Sequence, residues 1–527
     1  MALTKAKFGV ISSALASGNA TDGYVLTADG SGNSAWEEVA GGPTHKTFGT
    51  NSIMIGDNAT GTIDAANNNT GVGVDIFAAL TSGDDNTVLG KGAGAAITTG
   101  QRNVYIGIDA GASGATNQEN CLIGRRAGQL QTANNTTAIG TEALYNNTGQ
   151  RNTAVGSQAG YDLTSGTQNT MVGNAAGANV TTATNVNVFG YSAGGSLTTG
   201  GDNTVMGTEA LGACQTGVSN VAIGKEALLS HTGNNATAVG NQALRANTSG
   251  GHVTGIGIDA LRSNTTGGDN TAVGSGALYN NTTASRNTAV GRSCLDDCST
   301  TSDNTAMGWN AGTSVTTGDS NVIMGRSAGD ALTTGSNNTL LGMQAGDDLT
   351  TGGQNVIIGK LCDGGGAGSA YRTIIGYGLT GSSNDATLFG RGSTDSQLAH
   401  GGTGFTNPSD IRLKEDIQDE VVGLEFINSL RPVTFRWKKE KDVPTNMKVY
   451  KQDSEERVMN GKYNHGFIAQ EVKEAIDKNG NIKDGCDIWT EDDAEDKRQR
   501  VGQTALIPFL VKAIQELSNE IKELKGE

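Results

Sequence analysis

Proline, large side chains and basic residues are scarce in this sequence. Only 5 of its 527 residues are proline and 5% are aromatic, whereas 79 are glycine. The chain is too long for one ordinary domain and too poor in large side chains for a conventional globular core. Its 37 Lys and Arg are outnumbered by 53 Asp and Glu, giving a formal net charge of −16. This balance argues against nucleic acid as a partner, because phosphate binding needs clustered basic residues.

Cysteine pairs and long apolar runs are also scarce. Six cysteines are scattered along the chain: Cys121, Cys214, Cys294, Cys298, Cys362 and Cys486. Cys294 and Cys298 are close, but no His or second Cys pair joins them at zinc-ligand spacing. We therefore expect free thiols from assembly in a reducing cytoplasm, with no metal and no cofactor. Without a secretory signal or a run of 18 apolar residues, the usual routes into a membrane are not predicted.

A five-residue motif, NTAVG at Asn287–Gly291, recurs along most of the chain, with variants such as NTVLG at Asn86–Gly90. Its closing glycines follow one another at 17-residue steps sixteen times and at 16-residue steps three times. They are Gly56, Gly73, Gly90, Gly107, Gly124, Gly140, Gly156, Gly173, Gly190, Gly207, Gly224, Gly240, Gly257, Gly274, Gly291, Gly308, Gly325, Gly342, Gly359 and Gly376. Such a sustained register predicts a stack of structural repeats.

Each repeat predicts a short strand, a glycine corner and a polar return loop, because its apolar part is too short for a helix. The fixed glycine predicts a corner with positive φ, or one where chains approach closely. The motif's Asn predicts a side-chain ladder from coil to coil. Other residues interrupt that ladder: Ser52, Thr136, Val186, Ala236, Val253 and Arg372. A disordered Gly/Asn/Thr-rich tract is disfavoured, because it would not keep apolar residues in phase.

One coil offers only two or three small apolar side chains, so a single rod would have a thin core. Three chains packed side by side would bury a second apolar face, and we therefore expect a homotrimer. Twenty coils about 4.8 Å apart predict a rod roughly 95 Å long. The N-T-A-V-G-x-x-A core resembles the head repeats of trimeric autotransporter adhesins, which are left-handed parallel β-rolls. Those repeats are shorter than 17 residues, so the resemblance covers only the strand and the corner.

The composition changes at residue 408. Residues 1–408 contain 45 charged residues and two prolines, and the much shorter stretch 409–527 contains another 45 and three. A fibre followed by an ordinary soluble domain is therefore predicted. The four predicted regions are an N-terminal β module (1–45), the shaft (46–376), a distal neck or tip (377–408) and the C-terminal domain (409–527).

The N-terminal region contains the pattern G-Y-V-L-T-A-D-G-S-G from Gly23 to Gly32, followed by Trp36. This pattern predicts strand, tight turn and strand. It resembles a small module common near the ends of phage fibre proteins, which implies attachment to the virion. A plain hairpin that caps the repeats is the alternative, since terminal caps are needed in any repeat array.

Three motifs follow the change in composition. They are SDIRLK at Ser409–Lys414, LRPVTFRW at Leu430–Trp437 and HGFIAQEV at His465–Val472. The second alternates like a strand, and the third leads into a helix running to about Lys478. Near the C-terminus five apolar residues are spaced 4, 3, 4 and 3 apart: Leu510, Ile514, Leu517, Ile521 and Leu524. This a/d seam predicts a coiled-coil helix, with packing on its own domain as the alternative.

The three motifs, in this order, resemble the intramolecular chaperone of phage tailspikes and tail fibres, the S74 peptidase family. The resemblance covers about residues 409–527. It implies a trimeric chaperone that nucleates folding of the preceding fibre and then cuts itself off. By position, it implies Ser409 as the nucleophile, Lys414 as the general base and Pro408–Ser409 as the scissile bond.

A serine hydroxyl needs a base to take its proton, and lysine can be that base only when burial keeps it neutral. An offset of five puts Ser409 and Lys414 on neither the same helical face nor the same strand face. A bend, or a lysine from a neighbouring chain, must therefore join them. Without the resemblance, Ser409 would be read as a helix N-cap and Lys414 as a solvated charge. His465 is interpreted as a structural histidine.

The sequence thus predicts a mainly β protein: a trimeric parallel β-solenoid or β-roll shaft of about twenty 17-residue coils, then a small α+β chaperone domain ending in a coiled-coil helix. The predicted function is that of a bacteriophage tail fibre in the virion. Other tail or baseplate proteins would hold its N-terminus, and it would bind a host surface receptor, a glycan or an outer-membrane protein. The chaperone would be a single-turnover serine peptidase acting on its own chain.

Two other functions are weighed against the tail fibre. A bacterial trimeric surface adhesin would fit the β-roll-like repeats, but no secretion signal is seen. A tailspike that degrades host polysaccharide would need paired carboxylates in a cleft with stacking aromatics. The paired acids Asp296–Asp297 and Asp347–Asp348 fall in polar return loops, where a solvated surface is expected instead.

Overall fold

The chain divides into two compact units, residues 1–408 and 409–527. The computed structural model describes residues 24–28, 34–38, 44–48, 50–56, 65–381, 384–392, 394–400, 411, 414–459, 461–482, 488–491 and 497–526. Among its described residues, the first unit consists of strands, turns and bends without a helix, and the second contains three α-helices.

A hairpin precedes the repeats. Strand β1 (Tyr24–Ala28) pairs antiparallel with β2 (Ser34–Glu38), which confirms the two predicted strands. The predicted turn between them lies outside the described residues. Strand β3 (Thr44–Phe48) then pairs antiparallel with β4 (Ser52–Gly56) and covers the first edge of the main ladder.

The shaft is one parallel ladder in which every strand pairs with its neighbours in sequence. Strands β4 to β22 each belong to one coil, which confirms the predicted parallel β-solenoid and gives about 19 coils. The eighteen three-residue strands β5 to β22 are Thr70–Val72, Thr87–Leu89, Val104–Ile106, Cys121–Ile123, Thr137–Ile139, Thr153–Val155, Thr170–Val172, Asn187–Phe189, Thr204–Met206, Val221–Ile223, Thr237–Val239, Thr254–Ile256, Thr271–Val273, Thr288–Val290, Thr305–Met307, Val322–Met324, Thr339–Leu341 and Val356–Ile358.

The ladder continues beyond the 17-residue repeats. Strand β23 (Arg372–Tyr377) pairs parallel with β24 (Ala386–Arg391), and β25 (Thr394–Ala399) folds back antiparallel onto β24. Each end of the parallel ladder is therefore covered by an antiparallel strand. Such covers protect a sheet edge that would otherwise pair with another chain.

The 16-residue coils keep the strand register. Cys121 pairs with Thr137, and Thr137 pairs with Thr153, in the same columns as the longer coils. The six-residue turn after each corner glycine is also kept, so the missing residue lies in the return segment. The shorter steps therefore fall in loops.

All corner glycines except Gly376, which lacks the positive φ, meet both conditions expected of them. Gly291 has φ +137°, and a Cβ placed on it would lie 2.3 Å from the carbonyl oxygen of Gly308 in the next coil. A left-handed backbone and a close backbone approach both favour glycine, so any side chain here would strain the coil.

Side chains of complementary size fill the interior of the shaft. In the coil of Tyr105, the residue four after the corner glycine is Gly111, where a Cβ would lie 2.8 Å from the tyrosine ring. In the coil of the smaller Ala272, the corresponding residue is Leu278, buried at φ +52°. Leucine rarely adopts a positive φ, so the backbone is strained at this position. The packing of the Leu278 side chain into the space beside the small Ala272 offsets that strain.

The predicted asparagine ladder runs through the interior. Asn287 is buried; its Oδ1 accepts the backbone N–H of Asn304 at 2.9 Å, and its Nδ2 donates to the carbonyl of Thr301 at 2.9 Å. Each rung thus satisfies backbone groups of the following coil, which matters because buried polar groups need partners. Val186 accepts nothing through its side chain, so the ladder is interrupted there as predicted. The same prediction is wrong at Ser52, because its Oγ accepts the backbone N–H of Asn69 at 3.0 Å and takes the place of the amide.

The residue just before each corner glycine points outward, while the middle residue of the strand points inward. The outward residues form what we call the outer row, and every member is apolar. The outer row consists of Ile55, Val72, Leu89, Ile106, Ile123, Ile139, Val155, Val172, Phe189, Met206, Ile223, Val239, Ile256, Val273, Val290, Met307, Met324, Leu341, Ile358, Ile375 and Phe389.

The C-terminal unit is a small mixed fold. Its helices are α1 (Leu424–Ser429), α2 (Ala469–Lys478) and α3 (Ile507–Lys525), with 3₁₀ turns at Glu440–Asp442 and Gln503–Leu506. Its strands form two antiparallel pairs: β26 (Val433–Phe435) with β27 (Asn464–Gly466), and β28 (Trp489–Glu491) with β29 (Gln499–Val501). Its buried core consists of Val422, Phe426, Val472, Ala475, Ile488 and Leu506.

Candidate functional site

Two of the three C-terminal motifs lie against each other. The strand of LRPVTFRW pairs with the strand that opens HGFIAQEV, placing Thr434 opposite His465. Arg431 and Glu471 form an ion pair beside this hairpin, with Arg431 Nε donating to Glu471 Oε2 at 2.9 Å. The hydrogen bond from Arg431 lowers the pKa of the Glu471 carboxyl. Forty residues apart in sequence, these groups tie the two motifs into one hairpin and helix.

His465 lies on the exposed side of this hairpin. Its Nδ1 is 3.3 Å from Thr434 Oγ1, and the imidazole is exposed. Opposed polar side chains of this kind stabilise a two-stranded sheet. The interpretation of His465 as a structural residue stays a prediction.

The proposed dyad lies at the start of the second unit. Pro408 and Ser409 are outside the described residues, and Lys414 is described and exposed. The backbone N–H of Lys414 donates to the carbonyl of Ile411 at 3.2 Å, which forms a turn inside the SDIRLK motif. Because Ser409 lies outside the described residues, the bend expected between the two side chains stays a prediction. The roles of Ser409 and Lys414 stay predictions.

Helix α3 packs one face on its own domain and leaves another face exposed. Phe509 packs edge-on against Phe426 of the core, with ring centroids 5.7 Å apart, and Ala513 is buried. Glu516 accepts the backbone N–H of Leu424 at 2.7 Å through Oε2 and so satisfies the start of helix α1. The a/d seam lies elsewhere on the helix: Ile514 is 64% exposed and Ile521 is 49% exposed. Helix α3 therefore packs on its own domain and still leaves its apolar seam uncovered in the single chain.

The paired acids of the shaft occupy two different settings. Asp348 and Asp363 hydrogen-bond to each other's segments: Asp363 Oδ1 accepts the Asp348 N–H at 3.2 Å, and Asp348 Oδ1 accepts the Gly364 N–H at 3.0 Å. Burial, with Asp347 and Asp348 close by, raises the pKa of Asp363 to about 8. Burial and then Asp297 raise the pKa of Asp296. Sequence analysis missed Asp363 because its neighbours come from the adjoining coil.

The described residues offer little support for a metal site, a disulfide or a membrane-spanning helix. No three His, Cys, Asp or Glu side chains are placed there to hold a metal ion. The described thiols are free, and four of the five are buried. Within the described segments, no helix combines the length and the apolar character needed to cross a membrane.

The comparisons with known proteins place one region of the chain. The family model described as the chaperone of endosialidase, Peptidase_S74, matches residues 409–481. This match covers the start of the second compact unit and all three motifs, and it agrees with the resemblance found from the sequence. No curated protein and no solved structure matches the chain.

Proposed function

We propose that this chain is a homotrimeric bacteriophage tail fibre whose C-terminal domain is an intramolecular chaperone that cuts itself off before Ser409. The observation that carries the proposal is the chaperone family match beginning at residue 409, where the second compact unit also begins. A long β-solenoid ahead of such a domain is what a chaperone of fibre folding would act on.

The exposed seam of helix α3 supports the trimer. Five apolar residues at a/d spacing, exposed in one chain, are the pattern that knobs-into-holes packing covers. A short seam is weak alone, but here each helix is also held on its own domain by Phe509, Ala513 and Glu516. Three such helices would clamp three chains in parallel at one end.

The repeats give a physical reason for that clamp. Neighbouring coils are alike, so strands could pair out of register by one whole coil at little cost. Three chains must also begin in phase. A C-terminal clamp fixes the register at one end, and the coils then add one after another. Removal of the clamp makes the fibre kinetically stable, because an unfolded chain could no longer refold correctly.

The cleavage chemistry can be written from the predicted dyad. Lys414 takes the proton of Ser409 Oγ, which attacks the carbonyl carbon of Pro408. The Pro408–Ser409 C–N bond breaks, the amine of Ser409 takes a proton, and an ester to Oγ remains. Water hydrolyses this ester to give the Pro408 carboxylate and free Ser409. Because Lys414 is exposed in the single chain, the neutral amine this needs would come from burial between assembled chains.

The N-terminal hairpin and the shaft would have the other roles of a tail fibre, attachment and receptor binding. The N-terminal hairpin would attach the fibre to other tail or baseplate proteins, and the shaft or its distal end would bind a host receptor. The receptor is proposed to be a surface glycan or an outer-membrane protein, and the mature protein would reside in the virion.

Intact mass under denaturing conditions tests the cleavage. The wild-type chain is expected to give two pieces split between Pro408 and Ser409, while Ser409→Ala stays at 53.8 kDa. Ser518→Ala, on the exposed side of helix α3, is the control and should be cut like the wild type. Whole chains in all three samples would refute self-cleavage and leave the domain as a permanent clamp.

A second variant tests the clamp. Ile514→Asp with Ile521→Asp puts two charges on the seam and should prevent both trimer assembly and cleavage. Native mass measurement gives the oligomeric state. A monomeric wild type, or an unaffected trimer in this double variant, would refute the proposed role of the helix.

A further inference from the structure

The outer row is an unusual surface for a single acidic chain. All twenty-one of its members are Val, Ile, Leu, Met or Phe, and large side chains remain accessible along it, with Leu89 47% and Met307 45% exposed. Aligned apolar side chains on this scale are typical of a surface that another molecule covers, because monomeric proteins rarely expose such continuous patches.

Charge is absent from the same face. The other outward position of each strand, two residues before the outer-row residue, is Thr, Val, Ile, Cys or Asn in all twenty-one strands. The coils do carry charge, but on the turns: Arg102 pairs with Glu119, and Arg125 pairs with Glu142. A face that excludes charge while its neighbouring faces carry it resembles the core of a protein interface.

The period and the length of the outer row indicate which molecule would cover it. Its members repeat once per coil, about 4.8 Å apart, over a length of roughly 95 Å. A partner that matches this period along the whole length is another copy of the same shaft. A standard stable interface buries about 800 Å² and roughly 20–30 residues per partner. The outer row supplies twenty-one aligned residues.

We propose that copies of this chain pack shaft against shaft through the outer row, parallel and in register. This inference rests on the proposed trimer, since the C-terminal clamp would start the chains in parallel and in phase. Each coil would then present its outer-row residue to the same residue of the other two chains. The flanking threonines would close the edges of the contact, and the charged turns would face solvent.

The test uses one new thiol per chain. Cys121 is the described thiol on the outward face, so it is first replaced by Thr, the residue most coils have at that position. Val290→Cys then places a thiol in the outer row, and Asp297→Cys places one on an exposed turn of the same coil. The assembled trimer, carrying Ser409→Ala so that the chain stays whole, is treated with a short bis-maleimide and run on a denaturing gel. Leu341→Cys repeats the experiment should Val290→Cys fail to fold.

Covalent dimers are expected to be at least tenfold more abundant for the outer-row cysteine than for Asp297→Cys. A trimer that cross-links no better at Val290→Cys than at Asp297→Cys overturns the outer-row interface and leaves the proposed trimer standing. A protein that is monomeric before the reagent is added overturns both.

Discussion

Asn287→Ala tests whether the asparagine ladder stabilises the shaft coil by coil. The substitution removes the acceptor of the Asn304 N–H and the donor to the Thr301 carbonyl, both bonded at 2.9 Å. The stranded N–H is buried, and such a group costs about 1–3 kcal/mol. The second lost hydrogen bond adds about 1 kcal/mol, so the expected destabilisation of this coil is about 2–4 kcal/mol.

Native-state hydrogen exchange followed by mass spectrometry places this loss in the chain. Exchange at the Asn304 amide should accelerate about 30- to 700-fold, since every 1.4 kcal/mol corresponds to tenfold. Coils far from Asn287 should keep their protection, because each repeat contacts only its neighbours.

Asn241→Ala is the matched control, because Asn241 is exposed and lies outside the ladder. A surface change of this kind alters stability by about 0.5 kcal/mol or less. Equal exchange rates in the two variants, or an unchanged Asn304 amide in Asn287→Ala, would refute the reasoning.

Three further outcomes are expected. Gly291→Ala should lower the thermal midpoint far more than Gly276→Ala, whose added Cβ would have no atom closer than 3.7 Å; equal losses would contradict the close-approach argument. Burial lowers the pKa of His231 to about 4, so stability should fall as pH drops from about 6.5 towards 4, by up to about 3 kcal/mol. In acid denaturation curves, His231→Asn should remove this loss of stability. The control His252→Asn, which replaces an exposed histidine, should leave the loss unchanged. The raised pKa of Asp363 makes the wild type lose stability from about pH 4 to 8, so Asp363→Asn should raise the denaturation midpoint at pH 7.5 and not at pH 4.

The glycine period was enough to predict the shaft, because one strand and one corner per repeat follow from backbone chemistry alone. The asparagine ladder was also predictable, since a buried amide at the same place in most coils can bond along the stack. The direction of each strand residue was not resolved: in T-A-V, Ala289 points inward and Val290 outward, and composition counts both as small and apolar. Size matching between Tyr105 and Gly111 needed the folded turn, which brings the two positions together.

The C-terminal domain was recognised from the sequence, but its internal contacts were not. Three motifs were enough to recognise the C-terminal domain, because their order is specific. Their spacing gave no hint that Arg431 bonds to Glu471, or that Glu516 closes the start of helix α1, since those contacts join distant segments. Asp363 escaped notice because a carboxyl is usually paired within one loop, and here the neighbours come from the previous coil.

The missing rung at Val186 has a mechanical consequence. Pulling along the shaft loads its coil-to-coil contacts in series, so the weakest contact determines the breaking force. The gap after Ala236 is bridged in the interior, where Asn264 Nδ2 donates to Asn247 Oδ1 at 2.9 Å. After Val253 the corresponding side chains, Asn264 and Asn281, form no such bond, and both amide groups of Asn281 lack a partner. Around Val186 the interior side chains are the apolar Val180 and Leu197. A fibre held at both ends should therefore part first at one of these two places, after the coil of Val186 or after the coil of Val253.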